Sequence, residues 1–200
     1  MSAVPKPRKL TEAEYLRIER AAEYKSEFYD GEMFAMVGAR YPHNRAKENL
    51  VGELFTRFKN GPCQTLSSDM RVKVRASGLY CYPDIVVVCD PPEFEDDRQD
   101  TLLNPRVVIE VLSASTERYD RTTKFASYQR VPSVQEYILV SPDEPLVERY
   151  VRQADGAWGR VAFAGLDAEL LFATVPATVP LRDVYAGVEF PPPPADPAGS

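Results

Sequence analysis

Two acidic residues stand in stretches that otherwise have the composition of buried strands. Glu110 lies within "VVIEVLS", residues 107–113, and Asp84 opens the apolar run of "YPDIVVV". Runs of β-branched and aliphatic residues of this length are typical of strands buried on both faces. A carboxylate in such a strand must be paired, hydrogen-bonded, protonated or bound to a cation, because an isolated buried charge is very unfavourable.

A divalent metal ion would account for both acids together. If the two strands are neighbours, the carboxylates converge and repel each other unless a proton or a cation lies between them. The chain has one histidine, His43, and three cysteines without a C-x-x-C motif. Any metal must therefore be held by carboxylates, which favours Mg²⁺ or Mn²⁺ over zinc. The odd cysteine count also argues against a disulfide framework.

Each acid taken alone fits an ordinary structural role. Glu110 could form a salt bridge with an arginine or lie on an exposed edge strand, and Asp84 could cap a turn or a strand. Because both acids adjoin β-branched runs, the metal site and these structural roles stand as equal alternatives from the residues alone.

Lys124 is the third candidate, in "DRTTKFASY". On a helix, Asp120, Lys124 and Tyr128 share one face at spacings of four residues. A solvated Asp–Lys pair is the ordinary alternative. The predicted helix follows the Glu110 strand directly, so the lysine could lean over the end of that strand. Beside a metal and a phosphate it could position water or balance developing charge.

The elements that must position these residues predict one mixed α/β domain. A capping box at Thr11 and Glu14 predicts a helix over 12–23, and Asp30-Gly31 predicts a hairpin. The strand–helix–strand unit over 106–140 is compatible with a right-handed parallel crossover. The remaining predicted elements are an amphipathic helix ending near residues 60–62, an alternating strand at 70–76, one buried strand at 80–89, a solvated acidic loop at 90–100, and a late hairpin turning at 155–156.

The whole chain is acidic, with 200 residues, a net charge of −6 and a pI near 5.0. This balance excludes a general nucleic-acid-coating protein, which usually has a basic face. The sequence has two local groups of basic residues: Arg71, Lys73 and Arg75 on one strand face, and Lys6, Arg8 and Lys9 near the N-terminus. The simplest interpretation of the first group is a solvated strand face, and that of the second group is a flexible end. No apolar run reaches the ~20 residues that span a bilayer, and no secretory signal opens the chain, so a cytoplasmic protein without membrane contact is expected.

Five short motifs in order resemble the Uma family of restriction-endonuclease-like proteins. They are "SEFYDGEMFAM", "YPDIVVV", "VVIEVLSAST", "YDRTTKFASY" and "SVQEYILVSP", and the resemblance covers residues 11–187. It implies the fold of the PD-(D/E)XK nuclease superfamily, a central mixed sheet flanked by helices with a metal site at one edge of the core. The expected organisation is a flexible arm at 1–10, one domain at 11–190 and a proline-rich disordered tail at 191–200.

The resemblance also implies roles for four residues. Asp84 and Glu110 would ligate Mg²⁺ or Mn²⁺, and Lys124 would replace the usual lysine, since Leu112 stands at the usual position. Glu27 matches an early acid that reaches the metal directly or through water, with an ordinary hairpin charge as an equal alternative. His43 could cap the second helix or face the cleft and is not predicted to be a ligand.

The function these features favour is a metal-dependent endonuclease that hydrolyses phosphodiester bonds in DNA. A homodimer could pool the basic groups around a duplex, although no residue pattern predicts one. The main alternative is a catalytically inactive nuclease-like fold that binds nucleic acid or protein, favoured by Leu112 and the low pI. A third alternative, a metal-dependent enzyme acting on a small phosphate ester, lacks a glycine-rich phosphate loop.

Overall fold

A computed structural model describes residues 8–191. The helices are α1 (Glu12–Glu19), α2 (Tyr41–Phe58), α3 (Glu117–Tyr119), α4 (Phe125–Tyr128) and α5 (Leu181–Val184), and a π-helical turn (Asp120–Lys124) joins α3 to α4. Residues 117–128 are called the site helix below. The strands are β1 (Ser26–Tyr29), β2 (Glu32–Ala35), β3 (Gln64–Ser67), β4 (Arg71–Val74), β5 (Leu79–Cys81), β6 (Ile85–Val88), β7 (Thr101–Leu102), β8 (Val107–Val111), β9 (Glu136–Val140), β10 (Leu146–Arg152), β11 (Trp158–Ala164), β12 (Glu169–Leu171) and β13 (Thr178–Pro180).

The central sheet has six strands in the order β11-β10-β9-β8-β6-β3. Strands β8 and β9 run parallel and are connected through the site helix, while the other pairs in this sheet are antiparallel. The parallel strand–helix–strand crossover predicted from the sequence is therefore present. The predicted class, a mixed α+β fold with a central mixed sheet, is confirmed.

The two faces of the central sheet bury different cores. Alternate residues of β8 point to opposite faces: Val107 and Ile109 pack with α2 and the C-terminal elements. Val108 and Leu112 pack with the second sheet, ordered β2-β1-β5-β4-β7, and with the site helix. Glu110 is two residues after Val108 in the same strand, so its side chain also points into the second core, between the two sheets.

The single buried strand predicted for residues 80–89 is wrong. The segment forms β5 in one sheet and β6 in the other, and Tyr82, Pro83 and Asp84 carry the chain between them. Pro83 has no N–H to donate to a strand ladder, which favours a break at this point. The break leaves Asp84 at the entry to β6, immediately before the paired residue Ile85.

A disulfide links Cys63 to Cys89, contrary to the expectation from the odd cysteine count. Antiparallel pairing of β3 with β6 places Gln64 opposite Val88, which brings the two flanking cysteines together. The two cysteines are 26 residues apart in the sequence, and this spacing does not predict that they form a disulfide. Cys81 is the unpaired cysteine and is buried.

Both predicted local motifs near the N-terminus are present. The Thr11 side chain accepts from the Glu14 N–H at 3.2 Å, and Glu14 accepts from the Thr11 N–H at 2.9 Å, completing the capping box. Helix α1 ends at Glu19, earlier than predicted. Asp30 and Gly31 join β1 to β2 with φ values of 48° and 81°, as a primed hairpin turn requires.

Two cations on the basic face of β4 pair with acids of the acidic loop, so this strand face is not the solvated surface that was predicted. Most of the loop at 90–100 is exposed, as predicted. Arg71 is buried and lies 3.0 Å from Asp100, which also accepts from Arg20 at 2.8 Å. Lys73 lies 2.6 Å from Glu95 of the same loop. These cations stabilise the fold and do not form a free surface for DNA.

The predicted arm and tail fall largely outside the described residues, since residues 1–7, including Lys6, and 192–200 are not described. Leu10, the last residue of the predicted arm, donates its N–H to the Gly31 carbonyl at 2.9 Å. Arg8 pairs with Glu14, and Lys9 pairs with Asp30. Within residues 8–191, the helices are too short or too polar to span a bilayer.

Candidate functional site

Asp84 and Glu110 lie across from each other on adjacent strands. Ile85 of β6 pairs with Ile109 of β8, so the antiparallel register places Asp84 opposite Glu110. Residues directly opposite in an antiparallel pair share one face of the sheet. The Val111 N–H donates to Asp84 Oδ2 at 2.8 Å, which fixes this carboxylate at the end of the pair. The two acids therefore share one face of the sheet at neighbouring positions, and a shared ion between them stays a prediction.

Lys124 of the site helix lies above this pair and is surrounded by carboxylates. Its Nζ lies 3.0 Å from Glu110 Oε1, 3.1 Å from Glu27 Oε1 and 3.6 Å from Asp120 Oδ1. Lys124, Glu110 and Asp120 are all buried. The alternative of a solvated Asp–Lys pair is therefore wrong, and the shared face of the predicted helix points into the core.

The site helix contains an irregular turn at the site. Residues Asp120–Lys124 form the π-helical turn, a geometry that is rare overall and frequent at functional sites. The wider turn holds Asp120 and Lys124 on the face toward β8. Tyr128, one α-helical turn further, is fully buried and contacts Cys81 Sγ at 3.0 Å, so it packs in the core.

Burial and mutual charge change the proton affinities of the cluster. Burial raises the pKa of Glu110 well above its usual value, and Lys124 opposes that rise while Asp120, Asp84 and Glu27 add to it. Burial also raises the pKa of Asp120, again against Lys124. For Lys124, burial disfavours the charged form, but the carboxylates of Glu110, Glu27 and Asp120 outweigh it and hold the pKa well above its usual value. Lys124 is therefore an ammonium ion.

Glu27 reaches the site from the other sheet. It lies on β1, next to Phe28, which pairs with Tyr80 of β5. The Tyr82 N–H donates to Glu27 Oε1 at 3.4 Å, and the same oxygen faces Lys124. The site is thus built between the two sheets, and Glu27 is more than an ordinary hairpin charge.

His43 lies beside Asp84 and faces the same oxygen that accepts from Val111. Its Nε2 is 3.3 Å from Asp84 Oδ2, and its Nδ1 is buried without a hydrogen-bond partner in the described structure. The N-cap residue of α2 is Arg40, and no side chain caps this helix. His43 therefore faces the site, the second of the two roles considered for it, and does not cap α2.

Two residues of the cluster were not predicted as part of the site. Asp120 was recognised only as a helix-surface partner of Lys124, although its spacing of four residues could have indicated a shared site. The Tyr119 ring lies 5.9 Å from Lys124 Nζ. Burial raises the pKa of Tyr119, and the charges of Glu27 and Glu110 add to this effect. No feature of the sequence distinguishes Tyr119 from a packing residue.

The donors at this site fit a hard divalent cation. Glu110 Oε1 is a buried oxygen without a hydrogen-bond partner, because Lys124 approaches it outside hydrogen-bond geometry. Across residues 8–191, no group of three or more His, Cys, Asp or Glu residues is arranged to hold an ion. Mg²⁺ commonly takes one or two carboxylates and keeps several waters, so Asp84 and Glu110 supply the appropriate donors.

Comparison with known proteins places the chain in a family. The Uma2 family model, described as "Putative restriction endonuclease", matches residues 12–181. Two Synechocystis relatives named only as uncharacterized proteins, sll1609 and slr1290, are 36% and 32% identical. The alignments cover 86% of this chain and 98% of sll1609, and 91% of this chain and 94% of slr1290.

A solved structure shares the fold. It is described as a "putative nuclease belonging to DUF820" from Anabaena variabilis, and it matches with a TM-score of 0.73 at 18% identity. The match covers 90% of this chain and 99% of that chain. The resemblance found in the sequence motifs is thereby confirmed: with a nuclease-like fold and a family match over most of its length, the chain belongs to the Uma2 family.

Proposed function

We propose that this protein is a metal-dependent endonuclease that hydrolyses phosphodiester bonds in DNA with Mg²⁺ or Mn²⁺. The observation that carries the proposal is the convergence of Asp84 and Glu110 across β6 and β8, next to the ammonium of Lys124. Membership of the Uma2 family and the nuclease-like fold support the same class of reaction.

Asp84 and Glu110 are the residues assigned to the metal ion. Asp84, held by the Val111 N–H, and Glu110, whose buried Oε1 has no hydrogen-bond partner among the described residues, are the two that would hold the ion. When bound, such an ion polarises a phosphate oxygen and lowers the pKa of a coordinated water.

Lys124 acts as a fixed positive charge. Its carboxylate neighbours hold the pKa of Lys124 well above its usual value, which favours the charged form. Its ammonium stabilises negative charge that develops on the phosphate and orients the attacking water. Glu27 keeps the ammonium in place from the opposite sheet.

A specific observation favours the inactive, binding-only alternative. Lys124 is already engaged by three carboxylates, and Leu112 stands where a nuclease of the broader superfamily would carry lysine. A protein in which Lys124 serves only to neutralise buried acids would keep this geometry without cutting DNA.

The two alternatives are separated by a cleavage assay. Supercoiled plasmid and single-stranded DNA are incubated with purified protein in Mg²⁺, Mn²⁺ or EDTA, beside Asp84→Asn and the control Asp167→Asn, an exposed acid paired with Arg182. We expect metal-dependent cutting that Asp84→Asn reduces at least a hundredfold and Asp167→Asn leaves unchanged. DNA that is bound but left intact by the wild type would support the inactive fold.

A further inference from the structure

An exposed apolar strip borders the candidate site. It consists of Phe34, Met36, Val37 and Tyr41, on and after β2, and their exposed fractions are 50%, 38%, 80% and 67%. Single exposed apolar residues are normal on protein surfaces, but four large ones within the stretch 34–41 form a candidate contact surface. The strip contains two aromatic rings, one methionine and one valine. Side chains of these types pack well against flat, apolar ligands.

The register of the hairpin places one end of the strip at the site. Glu27 of β1 pairs directly with Phe34 of β2, so both side chains lie on the same face of the sheet. Glu27 Oε1 is 3.1 Å from Lys124 Nζ. Phe34 therefore flanks the Glu27–Lys124 pair from the edge of the sheet, where β2 is the last strand among residues 8–191.

The other end of the strip enters α2 next to the same site. Tyr41 begins α2, and His43, two residues later, lies 3.3 Å from Asp84. The segment between β2 and α2 thus connects the Glu27 side of the site to the Asp84 side. Arg40 in this segment pairs with Asp143 at 2.8 Å, which ties it to the loop after β9.

A polar cavity lies at the tied end of this segment. Its volume is about 230 Å³, and its lining includes Ser113, Glu117, Ser141 and Asp143 at the carboxyl ends of β8 and β9. Its hydroxyls and carboxylates offer hydrogen-bond groups to the edge of a base that has left its stack. The apolar strip supplies a face for the ring, and the cavity, whose lining residue Asp143 pairs with Arg40, supplies polar groups.

Charge at the site disfavours binding through phosphates alone. Four carboxylates, those of Glu27, Asp84, Glu110 and Asp120, surround the single ammonium of Lys124. Three cations of neighbouring elements are engaged with acids: Arg40 with Asp143, Lys25 with Asp69, and Lys47 with Glu48. Arg118 of the site helix is exposed. Non-specific duplex binding depends on free cations that neutralise phosphates, whereas single strands are also held by base–aromatic stacking.

We infer that the strip is a stacking surface for unpaired bases, and that the substrate of this site is single-stranded nucleic acid. The inference rests on the proposed nuclease function and names its substrate class. Phe34 and Tyr41 stack with bases on either side of the phosphodiester that enters the site. A duplex keeps its bases stacked on each other and cannot use this surface.

The inference is tested by binding, without cleavage. Fluorescence anisotropy measures the dissociation constant of a labelled mixed-sequence DNA strand, alone and annealed to its complement, with Ca²⁺ in place of Mg²⁺ and strand integrity checked on gels. The variants are Phe34→Ala and Tyr41→Ala, and the matched control is Phe55→Ala, an aromatic residue of α2 with 58% exposure outside the strip. Thermal unfolding confirms that each variant is folded.

We expect the single strand to bind at least tenfold more tightly than the duplex. Each strip variant should weaken single-strand binding by roughly tenfold, as expected for the loss of one stacked base, and Phe55→Ala should not change it. Equal or tighter duplex binding, or strip variants that bind like the wild type, would overturn the inference. A changed sedimentation coefficient with unchanged DNA binding would do so too, by assigning the strip to a second copy of the chain.

The two proposals fail in different ways. If the binding pattern is as expected but Mg²⁺ and Mn²⁺ support no cleavage, the hydrolytic function is wrong and the stacking surface stands. If duplex plasmid is cut with metal and the strip variants cut it equally well, the hydrolytic function stands and the substrate inference is wrong.

Discussion

At the scale of single residues, the site contains more acidic groups than its one cation can pair with. Lys124 faces Glu27, Glu110 and Asp120, and Asp84 adds to the same field. Buried like charges destabilise a fold, and proteins retain them mainly where function requires a cation or a shifted proton affinity. The cluster therefore destabilises the fold locally, and the packing of the two surrounding hydrophobic cores must offset this loss of stability.

This charge imbalance predicts opposite effects on stability from two substitutions. Glu110→Gln removes one buried acid with nearly the same shape, so we expect the free energy of unfolding to rise by about 1 kcal/mol. Lys124→Met leaves the buried acids without a cation, and we expect a loss of about 3 kcal/mol. Urea unfolding at pH 7 measures both values. A Glu110→Gln protein less stable than the wild type would mean that Glu110 serves a structural pairing.

At the scale of elements, the sequence predicted each helix and strand that places a site residue, but not the break between β5 and β6. The hairpin, the second helix and the β8–β9 crossover carry strong local signals in turn residues and apolar spacing. The run at 80–89 reads as one strand because β5 and β6 are both buried, and local patterning does not reveal that the chain changes sheets. The burial of Arg71 depends on a distant loop and was equally unpredictable.

The β1–β2 hairpin depends on a glycine. Gly31 has φ of +81°, and a Cβ built on it would lie 2.5 Å from Lys9 Cβ. Gly31→Ala therefore imposes both backbone strain and a steric clash, and we expect a loss of about 1–3 kcal/mol. Thermal unfolding measures it, with Gly156→Ala as the comparison, since that glycine has a similar φ but open space around it. Equal losses in both variants would show that the clash with Lys9 is relieved.

The acidic loop gives the fold a dependence on pH. Hydrogen bonds from Arg20, followed by the charge of Arg71, lower the pKa of Asp100 far below its usual value. The carboxylate therefore contributes stability that is present above its unfolded pKa of about 3.9 and is lost progressively as the pH falls below it.

Asp100→Asn should accordingly lower the free energy of unfolding at pH 7 by about 1 kcal/mol, a modest value because the side chain is one-third exposed. The gap between wild type and variant should narrow at pH 3. Urea unfolding at pH 7, 5 and 3 tests this, and a gap that widens toward pH 3 would contradict the assignment.

At the scale of the whole molecule, the disulfide joins the residues that flank β3 and β6, at one edge of the central sheet. Closing a loop with a separation of 26 residues is expected to stabilise the fold by about 3 kcal/mol. We expect a reducing agent to lower the unfolding temperature of the wild type to that of the Cys63→Ser/Cys89→Ser double variant, and to leave the double variant unchanged. A wild type that does not respond to reduction would show that the bond contributes no stability.

The same disulfide bears on the compartment in which the protein works. Disulfides are uncommon in the reducing cytoplasm, so the Cys63–Cys89 bond does not support the expected cytoplasmic location, which stays a prediction.

The fold class and the family were predictable because several ordered motifs carry them. The meeting of Asp84, Glu27 and His43 was predictable only in part, since β1, β6 and α2 approach one another through long-range packing.

The central claim is that Asp84 and Glu110 together bind a divalent cation. Electron paramagnetic resonance of free Mn²⁺, titrated with the protein, measures this directly in the wild type, Asp84→Asn, Glu110→Gln, the double variant and the control Asp167→Asn. The account predicts saturable binding in the wild type and control, a loss of at least tenfold in affinity in each single variant, and little further loss in the double variant. Single variants that bind Mn²⁺ as tightly as the wild type would contradict it.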